Sequence, residues 1–75
     1  MSDALEKNAR TLKELEVELE KALRHCRIAS LRFEEGNVPN ACAHILALEG
    51  HIQKVHLART SIAITHSEHA ILEEK

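Results

Sequence analysis

The stretch Phe33-Glu34-Glu35-Gly36-Asn37-Val38-Pro39-Asn40-Ala41 decides how this chain folds. The whole sequence holds two Gly and one Pro, and Gly36 and Pro39 stand three residues apart here. Gly36 suits the left-handed stop of a helix, and the Arg-rich segment before it suits a helix C-terminus. Val38 precedes proline and is biased toward extended backbone, while Pro39 fits the first turn of a new helix. The expectation is a tight turn over Gly36-Asn37-Val38-Pro39 joining two helices.

Working outward toward the N-terminus, a 3-4 spacing of mostly apolar residues runs through Leu5, Asn8, Leu12, Leu15, Leu19, Ala22, Cys26, Ala29 and Phe33. It predicts an amphipathic helix over about residues 3–35, roughly 50 Å long. Asp3 and Glu6 form a start signal of the capping-box type. Glu6 with Arg10 and Glu20 with Arg24 are favourable i,i+4 pairs. Outward toward the C-terminus, Ile45, Leu48, Ile52, Val55 and Ile62 form one stripe, interrupted by Arg59. Leu57, Ile64 and Ile71 form a second, and the helix is expected over about residues 39–73. A short turn between helices of similar length makes them antiparallel. No segment alternates long enough for a strand. The expectation is one all-α helical-hairpin domain spanning residues 1–75.

Two stripes on the second helix are more than one partner helix covers. Ile28 and Leu31 add apolar surface to the first helix outside its main stripe. A helix apolar over most of its girth is buried over most of its girth. This predicts that two copies dimerise into a four-helix bundle, or that another helical protein docks, with Leu57, Ile64, Ile71, Ile28 and Leu31 at the interface. Cys26 falls on the main stripe and reads as core. Asn8, on the same stripe, reads as a device for fixing register.

Composition excludes several classes. The chain is 44% apolar and 29% charged with a formal net charge of −2, so no basic stripe exists to grip nucleic acid. Phe33 is the single aromatic residue, which leaves no stacking platform for single strands. No run approaches the roughly 20 apolar residues of a membrane span, and the first 25 residues do not read as a signal peptide. Two Cys, Cys26 and Cys42, match no metal or redox spacing and suit a reducing, cytoplasmic setting. Cys42 sits near a helix N-terminus, yet no base is spaced to activate it. The Glu residues at 14, 16, 18 and 20 read as a solvated face, because alternate helical positions diverge. Neither an enzyme nor a bound cofactor is expected.

Six His are the unusual feature: His25, His44, His51, His56, His66 and His69. His66 and His69 share a helix face and, with Glu73, have the spacing of a weak candidate metal site. Antiparallel pairing about the turn puts His25 level with His51. His51 and His56 flank Ile52 and Val55, which suggests an interface that weakens on protonation; Glu49 nearby would act in the opposite sense.

Gly36-Asn37-Val38-Pro39-Asn40-Ala41, with Ile45 and Leu48, resembles the turn and second-helix start of a tetratricopeptide repeat. The likeness covers about 14 residues; both helices are more than twice the repeat's length, and no 34-residue period is visible. The layout of a charged first helix, a Gly turn and an Ala/Ile-rich second helix is also similar to the small hairpin chaperones of bacterial type III secretion, which would imply a chaperone role. The residues themselves support a non-enzymatic interaction module, a regulator, inhibitor or chaperone-like adaptor. The alternative is a metal- or pH-responsive His bundle.

Overall fold

The computed structural model describes residues 3–73, and side chains over residues 3–67. Two α-helices, α1 (Asp3–Glu34) and α2 (Val38–Glu73), pack side by side as an antiparallel hairpin of 58 × 20 × 13 Å. Among the described residues there is no strand.

The turn is built by backbone hydrogen bonds that the local sequence makes possible. Gly36 has φ +80°, the left-handed conformation that side chains with a Cβ resist. Its N–H donates to the Phe33 carbonyl at 3.0 Å, and Asn37 N–H donates to the Arg32 carbonyl at 2.8 Å. This pair of bonds is a Schellman stop. Asn37 then starts α2, its Oδ1 accepting from the Asn40 N–H at 3.3 Å. The Arg32 Nε donates to Asn40 Oδ1 at 2.9 Å and stitches the two helix ends together. The extended conformation expected at Val38 is not adopted, since α2 begins there. The Asn37 cap and the helix behind it outweigh a local preference that is modest on its own.

The seam between the helices has a strict seven-residue repeat. From α1 it takes Ala4, Asn8, Thr11, Leu15, Glu18, Ala22, His25, Ala29 and Arg32. From α2 come Ala41, His44, Leu48, His51, Val55, Ala58, Ile62 and Thr65. Only Ala22, Ala29 and Ala41 are buried apolar residues, so among the described residues no large side chain is fully covered.

This seam corrects the expected stripe on α1. Asn8, Leu15, Ala22 and Ala29 do face α2, but Leu5, Leu12, Leu19, Cys26 and Phe33 turn out of the seam. Leu5 is 58% and Phe33 46% exposed, and Cys26 is exposed rather than core. The helix is rotated about its axis by about 50°, half of one residue's step. Small residues at 22, 29 and 41 allow close approach of the backbones, and that rotation also lets polar groups at 18, 25, 44 and 51 meet across the seam.

Candidate functional site

Two features stand out, one polar and one apolar, on opposite sides of the seam. The polar one is a chain of four side chains. His51 Nδ1 lies 2.6 Å from Glu18 Oε1, and because a carboxylate only accepts, Nδ1 carries the proton and donates. The ring of His51 stacks on that of His25, with centroids 5.5 Å apart and planes 17° from parallel. His25 Nδ1 in turn sits 2.9 Å from His44 Nδ1, so one of these nitrogens donates and the other accepts.

The surroundings shift two of these groups. The hydrogen bond from His51 holds the Glu18 carboxyl below the usual carboxylate range; Lys54 and Lys21 act in the same direction, against desolvation. Desolvation lowers the pKa of His25, reinforced by the positive charge that His44, His51 and Arg24 bring near it. The level pairing of His25 with His51 is therefore present in the structure. The Glu49 expected beside His51 instead accepts from Gln53 Nε2 at 2.7 Å. Exposed His56 accepts from Arg59 at 3.1 Å.

The parts played by Glu18 and His44 are not among the sequence expectations. Glu18 is expected on a solvated acidic face, whereas its side chain is only 19% exposed in the seam. A signal is present: Glu18 precedes His25 by seven residues, and His44 precedes His51 by seven, the repeat of one seam.

The apolar feature lies along the other edge. Leu5, Leu12, Leu19, Cys26 and Phe33 recur every seven residues on α1, and Val38, Ile45, Ile52 and Arg59 do so on α2. Each row lies one residue beyond a seam position. In antiparallel helices the same offset brings both rows to one side of the pair. Cys26, Ala29, Phe33, Ile45 and Leu48 accordingly line a common groove of about 440 Å³ near the turn. The opposite edge is polar, where Glu14, Glu18 and Lys54 line a smaller groove with Leu15 and Ala58.

Of the expected interface residues, Leu57 is 66% and Ile64 57% exposed, seven residues apart on the outside of α2. Leu31 is exposed and Ile28 half-buried on α1. The side chain of Ile71 lies outside the described residues, as do those of His69 and Glu73. Hence the geometry of the His66/His69/Glu73 set is not described; His66 itself is exposed. Among the described residues no three His, Cys, Asp or Glu converge as a metal site.

Fold and site define a class: an antiparallel helical hairpin with a half-polar seam and one continuous apolar face. The chain matches no protein-family model, no curated protein and no solved structure. Among the described residues no helix is long and apolar enough to cross a membrane.

Proposed function

We propose that the chain is a non-enzymatic protein–protein interaction module, a small cytoplasmic regulator or adaptor that acts through apolar helix faces and dimerises into a four-helix bundle. It binds neither nucleic acid nor membrane in this reading. One observation carries it: among the described residues the buried apolar core consists of three alanines, while seven large apolar side chains line a single exposed face. Burying a Leu, Ile or Phe fully is worth about 1.5–3 kcal/mol, and a domain this small has few other sources of stability. The outer row of Leu57 and Ile64 is a second apolar surface, offered to a further helical partner. Sedimentation equilibrium at micromolar concentration tests the reading. A dimer is the expected result, and a folded, monodisperse monomer overturns it.

A second reading, a pH-responsive bundle, is favoured by the chain Glu18–His51–His25–His44. Dissociation constants at pH 7.5 and 5.5 separate the two: a constant value leaves a simple adaptor, and a large rise marks a proton-responsive one.

A further inference from the structure

The apolar face described above has a single charged group in its two described rows, Arg59 of α2. We infer that a second copy of the same chain covers this face, and that Arg59 of each copy pairs across the interface with a carboxylate on the other's rim. The inference rests on the reading of the chain as a self-associating module and adds the face and the pairing residue.

Area is the first argument. The row from Leu5 to Phe33 runs about 42 Å at 1.5 Å per residue, and across a hairpin 20 Å wide such a face is comparable with the roughly 800 Å² per partner of a standard interface. Need for cover is the second: among the described residues only Ala22, Ala29 and Ala41 are buried apolar residues, so the hairpin has little core of its own, and a second copy carries the same apolar face.

Charge is the third argument. Arg59 donates to His56 Nδ1 at 3.1 Å, and among the described residues it forms no ion pair. A guanidinium buried in an apolar interface without a carboxylate is strongly unfavourable. The rims of the same face supply two. Glu16 borders the α1 row, 3.9 Å from exposed Lys13; Glu49 borders the α2 row and accepts from the neutral Gln53 amide. At 1.5 Å per residue, Arg59 lies about 32 Å from the turn. Two face-to-face hairpins related by a twofold axis have their turns either together or at opposite ends. With turns together, Arg59 lies within about one helical turn of the other copy's Glu16, which is about 27 Å from its own turn. With turns apart, a register that overlaps the two hairpins over about 49 Å brings Arg59 level with the other copy's Glu49, which lies about 17 Å from its own turn. In either orientation the face is complementary to itself.

The test compares dissociation constants from sedimentation, with helicity followed by circular dichroism. Leu19→Asp and Ile52→Asp should each weaken the dimer about a hundredfold or more, because each places a carboxylate in the apolar interface. Ile64→Asp, on the outer row, should change it by less than about threefold. Dimer loss in Ile64→Asp with none in the face variants overturns the inference and leaves self-association standing. A folded wild-type monomer overturns self-association itself. If the face variants fail to fold, charge reversal still decides. Arg59→Glu should weaken the dimer about a hundredfold or more, because it sets two carboxylates against each other in the interface, and adding either Glu16→Arg or Glu49→Arg should restore it. Glu16→Arg identifies turns together and Glu49→Arg turns apart. Restoration by neither overturns the pairing.

Discussion

His25 and His44 face each other across the seam with their Nδ1 atoms 2.9 Å apart. The contact holds one proton between two nitrogens. A second proton would set two N–H groups against each other and put a positive charge on one of the two rings, with the His51 ring stacked on the far side of His25.

That relationship fixes the sign of a pH dependence. His25 is faced by His44 and His51 from α2 and by Arg24 from its own helix, and its folded pKa is lowered. The neutral form is then the one that folding favours. Its stabilising contribution is complete above the unfolded value of about 6.5 and is lost as pH falls toward the lower folded value. Thermal melts at one protein concentration should show a lower midpoint at pH 5.5 than at 7.5. His25→Gln should shrink that difference, and an unchanged difference would clear His25 of the role.

Glu18 acts in a lower window. Its folded pKa is also lowered, chiefly by the His51 hydrogen bond, so its contribution is complete above the unfolded carboxyl value and disappears as pH falls through the folded one. Glu18→Ala should destabilise the hairpin at pH 7, because His51 loses the acceptor that orients it. Glu18→Gln, which keeps an acceptor without the charge, should fall between Ala and wild type in urea titrations. Equal midpoints for all three proteins would show that the contact contributes nothing.

The two glycines should respond to alanine with opposite signs. Gly36 has φ +80°, and a Cβ added there would meet nothing within 4 Å, so the cost of Gly36→Ala is conformational, about 1–2 kcal/mol. Gly50 lies inside α2 with nothing within 4 Å of an added Cβ. Gly50→Ala should therefore stabilise by about 0.5–1 kcal/mol through helix propensity. Denaturation midpoints moving in the same direction for both variants would contradict this account of the turn.

Close approach of the helices should be just as specific. Ala29 is 4% and Ala41 0% exposed, at the turn end of the seam. Ala41→Leu should cost about 1–3 kcal/mol by overpacking, whereas Ala43→Leu, on the exposed side of the same helix, should lie within about 0.5 kcal/mol of wild type. Similar urea midpoints for the two variants would mean that the seam tolerates separation.

Much of this was legible in the residues. Gly36, Asn37 and Pro39 determined where one helix ends and the next begins to within a residue, because turn chemistry is local: a positive φ needs glycine, and an N-cap needs a short polar side chain. The 3-4 spacing determined that both flanking segments are helices, and the short turn that they are antiparallel. What the periodicity left open was rotation about the helix axes. A stripe such as Leu5, Leu12, Leu19 and Phe33 is apolar whether it meets the partner helix or flanks it, since hydrophobic patterning reports that a face is to be buried and not what buries it. Only the tertiary structure decided that the seam takes the row of Glu18, His25, Ala22 and Ala29. That choice depends on how closely two backbones approach and on which polar groups find partners 33 residues apart, as Glu18 and His51 do. Both are properties of the pair of helices, and neither helix carries them alone.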